Sequence, residues 1–305
     1  MLVVRWHCPP RRARVAMALS KLSAGEQGIL FVQLCNVLDP GIAVALASVS
    51  NELRTATRVP LQQLKAAHEA PAALCHKLGH QNCKTLREAK EVNFQNKGLT
   101  ADELALLGTL GSLLPALEKL VLPVGSVLPA SPDGVQRLAA GLGAGALPAV
   151  IELQIFGTHM GDAGASALAA ALGKGALPRL KTLDLDDAAI GDAGLVALAP
   201  ALRRRPALEL LALGGNPLGD EGLAALVAPP PPAGAPPPTT GGLAKLKWLD
   251  LDRTQITDAG CAALAAALGS GALPALEELY LYGNRASAAA MSAVYAARAN
   301  LKGGE

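Results

Sequence analysis

The chain has 305 residues, of which 51% are apolar, 17% charged and 3% aromatic, and 27 Lys and Arg against 25 Asp and Glu leave a net charge of +2. That balance excludes a strongly basic nucleic-acid binder and an acidic disordered chain. Alanine and leucine, with 60 and 55 residues, supply more than a third of the sequence, and a core drawn from so few residue types must stack many similar small layers, which points to repeats.

In chain order, residues 1–22 are a basic tail with Arg5, Arg11, Arg12, Arg14 and Lys21 and no acid. A disordered tail is expected, with an organelle transit peptide as the alternative. Residues 23–88 lack the repeat and are expected to form a helical N-terminal cap. Ser23 and Glu26 suit a capping box before a helix to about Leu38, Asp39-Pro40 suits a turn, a second helix is expected from about Gly41 to Thr57, and Pro60 and Pro71 suit the starts of two more. This part carries a charge of +6, which leaves −4 for the rest.

Residues 89–286 hold seven copies of Leu-x-x-Leu-x-Leu or a close variant, starting at positions 89, 117, 150, 180, 208, 246 and 276. Examples are Leu180-Leu183-Leu185 and Leu276-Leu279-Leu281; the weakest is Ala89-Val92-Phe94. The two last apolar residues of each motif share one side of a short strand. An apolar residue follows at Leu99, Met160, Ile190, Leu218 and Ile256. Then comes Asp162, Asp192, Asp220 or Asp258, where a helix must start and a carboxylate can accept from that helix's first N–H groups. Leucines spaced i, i+4, such as Leu198 and Leu202, continue it, a glycine such as Gly175 or Gly271 ends it, and Pro148, Pro178 or Pro274 restarts an extended chain. One such unit cannot bury its own apolar side, so the units must stack. The long fifth interval contains a Pro-rich insertion at 228–240, expected to bulge as polyproline. Residues 287–305 are expected to form a C-terminal capping helix given a polar face by Arg298 and Lys302.

The segment Leu180-Lys-Thr-Leu183-Asp-Leu185 with Ile190-Gly-Asp-Ala-Gly194 resembles the ribonuclease-inhibitor type of leucine-rich repeat. The resemblance implies an α/β leucine-rich-repeat solenoid, with a curved parallel sheet inside and helices outside. The Asn that usually ends the family's strand motif is present only as Asn216 and Asn284, where it would satisfy backbone groups of neighbouring turns. Such solenoids mostly bind proteins, while a few, such as the Ran GTPase-activating proteins, assist catalysis.

Cys75, His76, His80 and Cys83 are a cluster of metal-ligand types, but Gly79 interrupts the helix that would converge them, so buried thiols are expected instead and no metal or cofactor is assigned. The five cysteines, which include Cys8, Cys35 and Cys261, are irregularly spaced and suit a reducing, cytoplasmic setting. No stretch reads as a membrane span. No nucleophile elbow, phosphate loop or zinc-protease motif is present, so an enzyme is not expected. The functional surface expected is the inner face of the sheet, which presents Gln154, Phe156, Asp184, Asp186, Trp248, Asp250, Asp252, Tyr280 and Tyr282 beside Ala212 and Gly214. Four of the eight aromatics fall there, among four carboxylates, which suits a protein partner with a basic surface. The leading expectation is therefore a non-enzymatic protein-binding scaffold. The alternatives are a GTPase regulator and an F-box-like adaptor using residues 23–57; nucleic acid and membrane are not expected partners.

Overall fold

The computed structural model describes residues 23, 37–39, 41–48, 51–94, 97–122, 133–227 and 242–303. It divides into two compact units, residues 1–87 and 88–305. The basic tail, the Ser23–Glu26 capping box and the Pro-rich insertion at 228–240 lie outside the described residues.

In the first unit, Asp39 accepts a hydrogen bond from the Gly41 N–H at the start of α1 (Gly41–Ala47), which packs on α2 (Asn51–Lys77). Helix α2 runs straight through Pro60 and Pro71, where separate helix starts were expected. Each proline withdraws one N–H donor, which costs about 3 kcal/mol in a helix interior. The good helix formers between them, from Leu61 to Ala70, keep the remaining ladder intact. A short turn leads to α3 (Cys83–Glu88), whose first turn is held by Asn82 accepting from the Thr85 N–H.

In the second unit the repeats place one short strand after another. Strands β1 (Glu91–Asn93), β2 (Lys119–Leu122), β3 (Glu152–Ile155), β4 (Thr182–Asp184), β5 (Leu210–Ala212), β6 (Trp248–Asp250), β7 (Glu278–Tyr280) and β8 (Lys302–Gly303) form one all-parallel sheet in chain order. The intervening helices are α4 (Ala101–Leu110), α5 (Gly134–Gly141), α6 (Gly161–Gly173), α7 (Asp192–Arg203), α8 (Asp220–Val227), α9 (Asp258–Gly269) and α10 (Ala288–Ala296). Register is constant: Leu120, Leu153, Leu183, Leu211, Leu249 and Leu279 stand side by side. These residues are at most 2% exposed. They meet the buried helix leucines Leu168, Leu198, Leu223 and Leu264, each burial contributing roughly 2 kcal/mol. Strands sit about 4.8 Å apart and packed helices about 8–10 Å apart, so the sheet takes the inner side of each stacked turn.

Beyond α10 the chain adds the eighth strand, Lys302 pairing with Glu278, where only a capping helix was expected. Arg298 does not give that helix a polar face; half-buried, it donates to the carbonyls of Leu268, Ala272 and Leu273 at the end of α9. Arg205 does the same to the carbonyls of Leu172 and Leu177, after α6. A guanidinium from the following repeat thus adds a charged donor to carbonyls at the helix end and in the turn after it, most of which also accept a backbone N–H.

The aspartates close helix starts, but not their own. Asp162 Oδ1 accepts from Gly191 N (2.7 Å) and Gly194 N (3.0 Å), and Asp192 Oδ1 accepts from Gly219 N (2.7 Å) and Gly222 N (2.8 Å). Asp220 receives Thr257, and Asp258 receives Ser287, in the same way. A residue already inside the first helical turn points its carboxylate sideways, whereas the residue before the helix, in extended backbone, is the one that reaches its own first N–H groups. Each aspartate therefore closes the helix of the next repeat. Helix α4, which has no such acceptor from a preceding repeat among the described residues, is closed by its own capping box, Thr100 with Glu103.

The conserved geometry runs backward as well. Asn216, 1% exposed, accepts from the N–H groups of Ala188 and Ile190 in the preceding turn and donates to the carbonyls of Leu185, Leu213 and Gly214. Asn284 serves Leu251, Thr254, Ile256 and Leu281 likewise. Asn at this position thus satisfies neighbouring turns, as its place in the motif suggested.

Candidate functional site

The strand residues that alternate with the buried leucines form three rows across the sheet. The first row is Glu152, Thr182, Leu210, Trp248 and Glu278, and the second is Gln154, Asp184, Ala212, Asp250 and Tyr280. The third is Phe156, Asp186, Gly214, Asp252 and Tyr282, held in step by backbone bonds from Asp187 N to Gly214 O, Gly215 N to Asp252 O and Arg253 N to Tyr282 O. All nine residues expected from the sequence lie on this one face. They are not one cluster: Gln154 and Phe156 on β3 stand four strands, or about 19 Å, from Tyr280 and Tyr282.

The contiguous part lies around β5. Strand β5 and the segment after it contribute only the small Ala212 and Gly214 to the second and third rows, and both are buried, covered by Asp184 and Asp186 from one side and Asp250 and Asp252 from the other, which together form an acidic patch. A Cβ at Gly214 would stand 3.2 Å from Asp186 Oδ1 and 3.3 Å from Asp250 Oδ1. Beside the acidic patch, Trp248 and Tyr280 pack with ring centroids 5.4 Å apart at 49°, and Tyr282 is 67% exposed.

Each of the four aspartates uses one oxygen structurally. Asp184 accepts from Asp186 N and Asp250 from Asp252 N, both within their own strand segments. Asp186 accepts from Gly214 N (2.7 Å) and Asp252 from Tyr282 N (2.6 Å), tying neighbouring repeats. The second oxygen of each has no protein partner among the described residues. The glutamates are committed instead: Glu152 pairs with Lys119 and accepts from Gln154, and Glu278 accepts from the Tyr280 hydroxyl. The first row, apart from Trp248, was missed from the sequence because the motif was read from the position between its last two leucines onward; the residue just before the middle leucine points the same way.

Burial raises Asp184, Asp186 and Asp250 above the usual carboxylate range. Asp186 is pushed up to about 7, by burial first and then by the charges of Asp184, Asp250 and Asp187, against the Gly214 N–H, which favours its ionised form. An aspartate titrating near 7 when folded and near 4 when unfolded holds more protons in the folded state between those values, so stability is lost as pH rises across them. Asp186→Asn keeps an acceptor for Gly214. It is expected to melt higher than the parent at pH 8 and to lose that advantage toward pH 4, as thermal denaturation across pH will check.

Elsewhere, Asp162, which lies near the exposed His159, is occupied by Gly191 and Gly194. Among the described residues no three His, Cys, Asp or Glu side chains converge to hold a metal ion, and no helix is long and apolar enough to cross a membrane.

The leucine-rich-repeat family profile matches residues 150–169, 177–199, 207–227 and 242–265. No curated protein sequence matches the chain. Among solved structures, an internalin from Listeria monocytogenes is 16% identical with a TM-score of 0.34, over 64% of this chain and 49% of its own, so the chain spans about half the internalin's length. Rad7, in its complex with Elc1 in yeast, is 16% identical with a TM-score of 0.40, over 99% of this chain and 80% of the other. With its leucines in constant register, one parallel strand per repeat and a helix between strands, the chain has the α/β leucine-rich-repeat solenoid fold and carries repeats of that family.

Proposed function

We propose that the protein is a non-enzymatic scaffold that binds a protein partner on the inner face of its sheet, through lysine or arginine side chains on that partner. The observation that carries this is the acidic patch that Asp184, Asp186, Asp250 and Asp252 form over the buried Ala212 and Gly214, bordered by the Trp248–Tyr280 pair and the exposed Tyr282. A cationic side chain laid there would meet the unpaired carboxylate oxygens and an aromatic neighbour at once. Aromatic residues are also the commonest energetic anchors of interfaces. The repeat spacing of 28 to 30 residues in the regular units and the full helices α6, α7 and α9 favour the ribonuclease-inhibitor subclass. The free thiols of Cys75, Cys83 and Cys261 favour a cytoplasmic setting.

The test compares the parent with Trp248→Ala and Tyr282→Ala in affinity capture and in binding of a fluorescent nona-arginine peptide. A partner lost from both variants at unchanged melting temperature supports the reading, and equal retention by all three overturns it. Because a bound cation favours ionised Asp186, the affinity for the peptide is expected to rise from pH 6 to pH 8 and to fall with salt.

A further inference from the structure

Cys75, near the end of α2, and Cys83, the first residue of α3, are both buried, and their sulfurs lie 3.0 Å apart. A disulfide bond is about 2.05 Å long, so roughly one ångström of approach separates the pair from covalent linkage. The turn between them makes the meeting local. Gly79 N–H bonds to His76 O, His80 N–H bonds to Cys75 O, and Gly79 takes φ 89°, a left-handed value that glycine adopts without strain. This turns the chain back so that Cys83 returns beside Cys75. Gly79, Gln81 and Asn82 are exposed, so the segment next to Cys83 is the part that can open without unfolding α2.

We propose that Cys75 and Cys83 are a reversible thiol–disulfide pair, oxidised by a small-molecule disulfide such as glutathione disulfide, that staples α3 to the end of α2. On opening of the turn, the Cys83 thiolate attacks one sulfur of glutathione disulfide and expels one glutathione thiolate. Cys75 then loses its proton to solvent, attacks the Cys83 sulfur and expels the second. Two thiols become one disulfide, two electrons pass to glutathione disulfide, and the two released thiolates take up the two protons. Burial, and then the hydrogen bond that the Cys75 thiol donates to Cys83, push Cys75 up to about 12. In the closed pair Cys75 is therefore held protonated and unreactive, and exchange proceeds through the opened turn.

The experiment uses the full chain in glutathione buffers of increasing disulfide content, followed by alkylation of remaining thiols in denaturant and digestion with trypsin. Cleavage after Lys65, Lys77 and Lys84 places the two cysteines in separate peptides, Ala66–Lys77 and Leu78–Lys84. The expected product is these two peptides joined, about 2 Da lighter than their sum, rising with glutathione disulfide, reversed by dithiothreitol, and absent from Cys75→Ser and Cys83→Ser. The oxidised parent, but not either variant, is expected to melt several degrees higher than its reduced form. Full alkylation of both cysteines at the most oxidising ratio overturns the proposal. So does a stable end product in which either is joined to glutathione or to another cysteine.

Discussion

Replacing Asn216 with alanine is expected to lower the unfolding free energy by about 3–4 kcal/mol, the largest effect of any single side chain in the repeats. The side chain is 1% exposed and its carboxamide is the sole acceptor given to the buried N–H groups of Ala188 and Ile190. Its amide also serves the carbonyls of Leu185, Leu213 and Gly214. Alanine removes all of these at once and admits no water to replace them, and each buried group left unsatisfied costs about 1–3 kcal/mol. Asn284→Ala, at a half-buried position near the chain end, is expected to cost less, about 1–2 kcal/mol, because solvent reaches the groups it leaves. Urea denaturation at equal m-value measures both; a loss below about 1 kcal/mol for Asn216→Ala contradicts the account.

The second large effect is expected at Gly194. A Cβ there would lie 2.5 Å from Asp162 Oδ1 and 3.0 Å from both Asp162 Cα and Ile190 Cγ2, so Gly194→Ala must displace the carboxylate that receives Gly191 and Gly194. The expected loss is about 2–3 kcal/mol, despite the gain of roughly 1 kcal/mol that alanine ordinarily brings inside a helix. Asp162→Ala alone is expected to cost about 2 kcal/mol through the uncapped start of α7. The double variant should then cost distinctly less than the sum, because the new methyl group no longer meets an oxygen. A double-mutant cycle reads this coupling directly, and strict additivity would contradict it.

The leucine positions were legible in the sequence because apolar burial decides them. Leu183 and Leu185 can point only inward if Asp184 is to reach solvent, and the same alternation placed all nine expected residues on one face. The direction of the aspartate bonds was not legible, since spacing alone puts Asp192 at a helix start but does not say which helix its carboxylate faces. Lys302-Gly303 carries no apolar signal, and its pairing with Glu278 is made by backbone groups alone. Helix α2 passes Pro60 and Pro71 because local helix propensity on both sides outweighs two missing donors. At the candidate site, the aromatic enrichment was visible in the sequence. The acidic patch was not, because it depends on Ala212 and Gly214 lying between aspartates that are about 66 residues apart along the chain, a neighbourhood only the register of β4, β5 and β6 creates.

The forward aspartate and the backward asparagine have a consequence for how such an array can grow. The repeat that holds Asn216 and Asp220 carries half of two locks, a carboxamide for the turn before it and a carboxylate for the helix after it, and the repeats of Asp162, Asp192 and Asp258 carry the carboxylate alone. A duplicated or deleted unit is therefore accepted only where its new neighbours offer the matching N–H groups. Extra chain is tolerated inside the span that a lock closes, provided both ends of the lock still meet. The Pro-rich stretch at 228–240 follows α8 and precedes β6, and the bond from Thr257 to Asp220 is made across it just as Gly219 makes its bond to Asp192 across a shorter interval. The longest added stretch thus lies on the return path between a helix and the next strand, while whole-unit changes are restricted to junctions whose locks fit.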